Sequence, residues 1–207
     1  MGINLFTNYY VDKSLPRQKE IDLCVRNNLN NPLINFILIE SQDRLKYDDY
    51  FRVVNNYTGS DDINIIANLD IYFDSTVQLV QQLPSKHAYA LGRWDLKADG
   101  TIKHSNRCDS QDAWVFKGTI NKVMGDFNLG LCGCDNRLAY ELHAAGYTVI
   151  NPSLSIKAIH AHASDIRNYK VKGRQRKQFQ VPPPYATVHP TELSKLGKLT
   201  IQRNKAT

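Results

Sequence analysis

The regular alternation of short apolar runs with amphipathic stretches over the first 160 residues constrains the fold most. Residues 33–40 and 63–70 have the length and apolar composition of buried strands. Residues 17–29 and 134–146 instead have apolar side chains at helical spacing. Strands that alternate with helices are typical of layered α/β proteins. We therefore predict an α/β fold with a central, mostly parallel sheet flanked by helices.

The remaining elements follow from the same periodicity and from turn residues. We expect a hairpin or loop at Asp99-Gly100, and Ser75 is the expected N-cap of the helix that follows it. The other predicted strands are residues 3–10, 87–94, 112–118, 147–152 and 153–162, and the other predicted helices are residues 47–54 and 75–83.

Size and composition favour one domain. The chain has 207 residues, of which 42% are hydrophobic, enough for a sizeable core. There is no apolar run long enough to span a membrane, and the first residues lack the pattern of a signal peptide. The four cysteines have neither disulfide nor zinc spacing, which favours free thiols. We expect a cytoplasmic protein with no membrane span.

The positive charge is concentrated near the end of the sequence. The net charge is +6, and residues 161–207 contain ten Lys or Arg but only two acids. We predict a domain at residues 1–164, followed by a basic, proline-containing segment at residues 165–207 that wraps the domain or leads to a further domain. A basic segment can bind nucleic acid. It has few interleaved aromatic residues, however, so no nucleic-acid partner is expected.

Polar residues follow several of the predicted strands. They are Thr7 and Asn8, Glu40, Asn68 with Asp70, and Arg93 with Asp95. Ligands of open α/β sheets bind beyond the carboxyl ends of the strands. The sequence therefore predicts one shared cleft at this edge.

Asp70, His160 and His162 are candidate metal ligands. Asp70 follows a strand, and the period of two places both histidines on one face of the last strand. Mg²⁺ prefers carboxylate oxygens, and Mn²⁺ also accepts imidazole. The alternative is that Asp70 only forms a turn and that the histidines are hydrogen-bonded without a metal.

Asp135 and Asp112 are candidate catalytic carboxylates. Asp135 lies at the start of a predicted helix, where it either caps the helix or acts on a reacting sugar. Asp112 lies close in sequence to Trp114, and aromatic side chains beside polar groups often bind sugars. The sequence contains no phosphate-binding loop, no dinucleotide fingerprint and no nucleophilic serine motif.

Taken together, these motifs resemble those of GT-A glycosyltransferases over roughly residues 3–164. Asn68-Leu69-Asp70 resembles the family's D-x-D motif with its first acid replaced, and GCDNRLAYELHAAGY resembles its acidic motif at the head of a helix. In that match Asp135 takes the acidic position and Cys134 replaces the usual Glu.

The resemblance implies a UDP-sugar donor, Mn²⁺ or Mg²⁺ as cofactor, and a glycan or glycoprotein acceptor. It implies Asp70 with His160 or His162 at the metal, and Asp135 with Asp112 in catalysis. Trp94 and Trp114 are the expected acceptor or sugar pocket. The expected donor-binding residues are Thr7, Asn8, Tyr9, Arg17, Asn68, Asp70 and Arg93.

Within the family, the chain resembles viral domains that glycosylate capsid protein. That similarity implies transfer of a sugar such as L-rhamnose, a host-cytoplasmic location, and a chain that is a fragment of a longer protein. It favours retention of the anomeric configuration, whereas the acidic motif favours inversion. Three alternatives stay open: a nucleotide-sugar hydrolase or nucleotidyltransferase, a non-catalytic relative, and a nucleic-acid-binding module.

Overall fold

Strands from both halves of the sequence form the central sheet. The computed structural model describes residues 2–41, 43–162, 180–195 and 197–202. In chain order the strands are β1 (Ile3–Tyr9), β2 (Asn35–Glu40), β3 (Ile63–Ala67), β4 (Ile71–Phe73), β5 (His87–Leu91), β6 (Arg93–Leu96), β7 (Ile102–His104), β8 (Ala113–Lys117), β9 (Thr148–Ile150), β10 (Ala158–His160), β11 (Tyr185–Val188) and β12 (Leu199–Gln202). The helices are α1 (Leu15–Leu29), α2 (Tyr47–Tyr57) and α3 (Cys134–Ala144), with a 3₁₀ helix at Ser75–Gln82.

The six-stranded sheet has the order β2-β1-β3-β8-β5-β9 and is mixed. Strand β1 pairs in parallel with β2 and β3, as β5 does with β9, but β8 runs antiparallel to both β3 and β5. The prediction of a mostly parallel sheet is therefore wrong, although the α/β fold is confirmed. The physical reason is that β8 enters the sheet from the edge at which β5 left it. A strand that returns from the same edge has to run the opposite way.

A second sheet of four strands has the order β4-β10-β6-β7. The chain passes directly from the large sheet into this one at two places. The predicted strand 63–70 divides into β3, a turn and β4, and the predicted strand 87–94 divides at Gly92 into β5 and β6. The space beside Gly92 is limited, because a Cβ there would lie 3.3 Å from Ser153 Oγ. Strands β6 and β7 form the expected hairpin around Gly100, which has a φ of 82°.

Both faces of the large sheet are covered by apolar groups. The face with Phe6 and Trp114 packs against α2, α3 and residues of the C-terminal hairpin β11–β12. The face with Leu5 and Ile65 packs against the 3₁₀ helix and strands of the small sheet. All five residues of β3 are buried, as expected of a strand covered on both sides. Strand β2, in contrast, is a half-exposed edge strand rather than the buried strand predicted at residues 33–40.

Two helix starts show how the sequence controls local structure. Pro16 lies in the first turn of α1, where its missing N–H has no intrahelical partner to lose. The 3₁₀ helix is capped by Asp74, which accepts a 2.9 Å hydrogen bond from the Thr76 N–H, and not by Ser75 as predicted. Asp74 therefore has a structural role close to the site without belonging to it.

Residues 180–202 return to the domain. The hairpin β11–β12 packs on α3, and Val181, Ala186 and Val188 are part of the core there. The predicted basic run at residues 170–177 lies outside the described residues, as do all of residues 163–179. None of the helices within the described ranges is long and apolar enough to cross a membrane.

Candidate functional site

The candidate site lies at the edge of the large sheet where the two sheets meet. Strand β3 ends there, β5 leaves there, and the antiparallel β8 begins there. Two backbone hydrogen bonds hold these ends in register: the Asn68 N–H donates to the Asp112 carbonyl over 3.1 Å, and the Asp112 N–H donates to the Leu91 carbonyl over 3.0 Å. Because β8 is antiparallel, its first residues join the carboxyl ends of β3 and β5.

Asp70 is the centre of the site. It is buried in the turn between β3 and β4, with its Oδ2 3.1 Å from His160 Nε2 and 3.7 Å from His162 Nδ1. One ligand atom from each of these three side chains lies within 4.8 Å of the others. Arg17, in the first turn of α1, forms an ion pair with the same Asp70 oxygen. The structure thus brings together all three predicted metal ligands and one predicted donor-binding residue.

The chemistry of this group fits a divalent cation. One carboxylate and two imidazoles are a ligand set suited to Mn²⁺ and related ions. His162 Nε2 is buried and has no hydrogen-bond partner among the described residues. The three side chains also form an ion-pair network without a metal, because the positive charge of Arg17 already balances the negative charge of Asp70. Which of the two applies is a matter for metal titration.

The charges of this group reinforce one another. Burial raises the pKa of Asp70, but hydrogen bonds from His160 and His162 and the charge of Arg17 outweigh burial and hold the pKa well below its usual range. Burial lowers the pKa of His160, yet the hydrogen bond to Asp70 raises it by more. Asp70 is therefore ionised at neutral pH and available to a cation.

A second set of contacts connects Asp70 and the histidines to the catalytic candidates. Arg93 Nε lies 3.0 Å from Asp95 Oδ1, and Arg93 Nη1 lies 3.6 Å from Asp112 Oδ2. Asp95 Oδ1 is also 3.4 Å from His160 Nδ1. The Asn68 side chain donates to Asp112 Oδ1 over 2.9 Å. Arg93 thus lies between the carboxylate next to His160 and the carboxylate of Asp112.

Asp135 has a different environment from the other acids. It follows Gly133, whose φ of 82° is left-handed, and it lies in the first turn of α3. The Cys134 thiol donates to Asp135 Oδ1 over 3.1 Å. Burial and, second, the charge of Asp112 raise the pKa of Asp135 to about 7. Asp135 is therefore near its midpoint of ionisation at neutral pH, as suits an acid–base group.

The predicted donor-binding residues of β1 have mixed surroundings. Thr7 is buried, and its Oγ1 has no partner among the described residues. The Asn8 side chain donates to the carbonyls of Ile39 and Ser41, at 3.1 and 3.3 Å, and so fastens β1 to the end of β2. Tyr9 is half-buried. The structure does not bring these three side chains into contact with Asp70.

The two predicted sugar-pocket tryptophans make structural contacts. Trp94 faces the opposite side of β6 from Arg93 and Asp95, where it donates to the Ser153 carbonyl over 2.8 Å and contacts the His104 ring. Trp114 is only 1% exposed and belongs to the core under the sheet edge.

Sequence reasoning missed one neighbour of Asp70 and His160. Asp95 was noted only as a strand end, although the period of two along β6 places it on the same face as Arg93. Tyr10 also lies near the site: burial raises its pKa first, and the charge of Asp70 raises it further. Tyr10 ends the predicted strand 3–10, and the sequence makes it, together with Tyr9, a candidate for contact with a nucleotide base.

A Ser–His pair nearby has the wrong arrangement for a nucleophile. His104 Nε2 lies 2.9 Å from Ser153 Oγ, and His104 Nδ1 accepts the backbone N–H of Asn106 over 3.1 Å. Because Nδ1 accepts, the ring proton is on Nε2 and points at the serine. Ser153 is also completely buried. This pair therefore stabilises the small sheet rather than activating a hydroxyl for attack.

Comparison with known protein families finds no match to this chain, and no curated protein is significantly similar to it.

Proposed function

We propose that the protein is a metal-dependent glycosyltransferase of the GT-A type, which moves a sugar from a UDP-sugar to a glycan acceptor. The observation that carries the proposal is the convergence of Asp70, His160 and His162 within 4.8 Å at the same sheet edge as Asp112 and Asp135. A cation-binding group near a carboxylate fits transfer from a nucleotide diphosphate, because the cation would offset the diphosphate charge and the carboxylate could act at the sugar.

Asp70, His160 and His162 would hold Mn²⁺ or Mg²⁺. When bound, the cation supplies charge neutralisation for the donor diphosphate and for the departing UDP. Arg17 contributes a second positive charge at Asp70. Burial lowers the pKa of the Arg17 guanidinium, but the charge of Asp70 and the hydrogen bond to it raise this pKa by more, so Arg17 stays ionised. Asn68 and Arg93 orient Asp112 by direct contacts.

We propose that Asp135 is the carboxylate that acts where the sugar is transferred. As an ionised carboxylate it would stabilise positive charge that develops on the sugar ring. As a base it would instead take the proton of the acceptor hydroxyl, which would invert the anomeric centre. We propose the first role, with retention, because of the resemblance to viral capsid-glycosylating domains. NMR assignment of the product anomer tests this, and an inverted product contradicts it.

The same resemblance is the basis for the substrates that we propose. L-Rhamnose from its UDP donor is the first sugar to test, with a capsid glycoprotein glycan as acceptor. A hydrolase would release free sugar without an acceptor, and a nucleotidyltransferase would form or consume pyrophosphate. Product analysis with and without acceptor therefore separates these reactions.

The first experiment is calorimetric titration of UDP into the protein, once with Mn²⁺ and once with EDTA. We expect binding that requires the metal, and loss of that binding in Asp70→Asn. The matched control is Asp61→Asn, because Asp61 is a 74% exposed carboxylate paired with Lys117 on the surface. Absence of UDP binding by the wild-type protein in Mn²⁺ contradicts the proposed function.

Asp70→Asn requires a check of folding, because Arg17 is buried and loses its charged partner. Breaking a buried ion pair on one side costs about 3–5 kcal/mol. Thermal melting in EDTA gives the temperature below which the variant is folded, and the titration is made there. A folded Asp70→Asn variant that binds UDP as the wild type does contradicts the metal assignment.

A further inference from the structure

The contact between Asp95 and His160 is built into the register of the small sheet. Strands β10 and β6 are parallel, and His160 is the register partner of Asp95. Neighbouring residues in register on parallel strands project on the same face. The side chains accordingly meet, with His160 Nδ1 3.4 Å from Asp95 Oδ1. The contact between Asp95 and His160 is therefore fixed by the pairing of β6 with β10 and not by the conformation of a loop.

His160 consequently lies between two carboxylates. Its Nε2 faces Asp70 at 3.1 Å, and its Nδ1 faces Asp95. A neutral imidazole has one N–H and one nitrogen lone pair. A hydrogen-bond acceptor beside one nitrogen favours the N–H there, and this leaves the lone pair of the other nitrogen for a cation. Histidine ligands commonly donate their second N–H to a carboxylate, which fixes both tautomer and ring orientation.

Asp95 is itself held in place. Arg93 Nε lies 3.0 Å from the same Oδ1 that faces His160, and Lys97 Nζ lies 3.6 Å from Oδ2. Arg93 also reaches Asp112. Asp95 is only partly exposed, so its interactions are less screened than those of a surface pair.

We propose that Asp95 is a positioning residue that accepts the Nδ1–H of His160, so that Nε2, which faces Asp70 in this structure, can exchange its proton for a divalent cation held together with Asp70 and His162. The inference rests on the metal site of the proposed function. It adds a residue that touches neither the cation nor the substrate. It also assigns Arg93 a function as the support of Asp95.

The test compares two substitutions that remove the charge but differ in hydrogen bonding. Asp95→Asn keeps an oxygen that can accept from Nδ1–H, whereas Asp95→Val removes the acceptor and suits a strand. Mn²⁺ affinity is measured by EPR titration of free Mn²⁺, without nucleotide or sugar. We expect Asp95→Val to weaken Mn²⁺ binding by about 10- to 100-fold. We expect Asp95→Asn to weaken it much less.

Ionic strength separates positioning from attraction of the cation by charge. The loss in Asp95→Val should persist in 0.5 M NaCl, on the order of the concentration at which exposed charges are screened. Asp99→Ala is the control, because Asp99 lies in the same hairpin and accepts hydrogen bonds from the N–H and the hydroxyl of Thr101 in the turn. It should bind Mn²⁺ as the wild type does. Melting in EDTA verifies folding, and Asp95→Ala replaces the valine variant if that variant is unfolded.

Each outcome decides the matter. Equal losses in the Asn and Val variants, or losses that disappear in salt, overturn positioning in favour of simple charge attraction. Unchanged affinity in both variants overturns the proposal while leaving the metal site intact. A wild-type protein that binds no Mn²⁺ overturns the metal site itself, and with it the role of Asp95.

Discussion

Asp135 differs from Asp70 and Asp95 because its pKa is raised, whereas the pKa values of those two carboxylates are lowered. Burial is the main cause, and the charge of Asp112 is the second. An unfolded Asp has a pKa of about 3.9. The folded protein therefore binds an extra proton between about pH 4 and pH 7. The contribution of Asp135 to stability is favourable below pH 4, declines as the pH rises towards 7, and stays unfavourable above it.

Asp135→Asn should remove this decline. We expect the free energy of unfolding of the variant, minus that of the wild type, to increase from pH 4 to pH 7 and then to level off. Urea denaturation at several pH values measures the difference, in which titrating groups that do not interact with Asp135 cancel. Asp109→Asn is a control that should change in the opposite direction, because Arg107 lowers the Asp109 pKa. The free energy of unfolding of that variant, minus that of the wild type, should decrease as the pH rises from 3 to about 5. Parallel curves for Asp135→Asn and wild type would contradict the raised pKa.

At the level of elements, sequence reasoning located most strands of the first 160 residues, but it missed β11 and β12 and did not show to which sheet each strand belongs. The apolar period is the same on both sides of Gly92, so residues 87–94 were predicted as one strand. The direction of β8 has no local signature either, because side-chain alternation is equal in parallel and antiparallel strands. Asp70, His160 and His162 could be predicted, since polar residues at strand ends are visible in the sequence. Asp95 could not be assigned, since its role depends on register between distant strands.

Gly118 ends β8 and offers a test of local backbone geometry. Its φ is 65°, and a Cβ there would lie 2.6 Å from the Ser60 carbonyl oxygen. Gly118→Ala should therefore lower the free energy of unfolding by about 2–3 kcal/mol, from backbone strain together with the clash. Gly100→Ala is the matched control, because Gly100 has a φ of 82° and no atom within 4 Å of the added Cβ.

Gly100→Ala should cost only about 1 kcal/mol, from the left-handed backbone alone. Denaturant titration of both variants gives the comparison. Equal destabilisation of the two variants would show that contact with Ser60 adds nothing.

At the level of the whole molecule, the proposed cation would connect parts of the chain that are far apart in sequence. A ligand that binds only the folded state stabilises it by about 2.7 kcal/mol at 100 times its Kd. A domain of this size gains about 2–4 °C in Tm per kcal/mol. We expect Mn²⁺ at that concentration to raise the Tm by roughly 5–10 °C.

His162→Ala should remove most of this rise in Tm, and it should lower the Tm in EDTA by less than the rise, because without a cation the main loss is the contact of His162 with Asp70. His143→Ala is the control, since His143 is exposed on α3. Thermal melting in Mn²⁺ and in EDTA measures both variants. A full Tm rise in His162→Ala would remove His162 from the set of ligands.

The hydrogen bond between Asp70 and His160 joins residues 90 positions apart. Contacts of such sequence separation form late in folding, because a long loop has to close first. During synthesis, a nascent chain that has not reached His162 contains Asp70 and its partner Arg17 but lacks both imidazoles. The ribosome therefore releases nearly the whole domain before the site can exist. The proposed cation could therefore bind only after residue 162 has been synthesised, so it cannot assist the pairing of β1, β2 and β3 before that point.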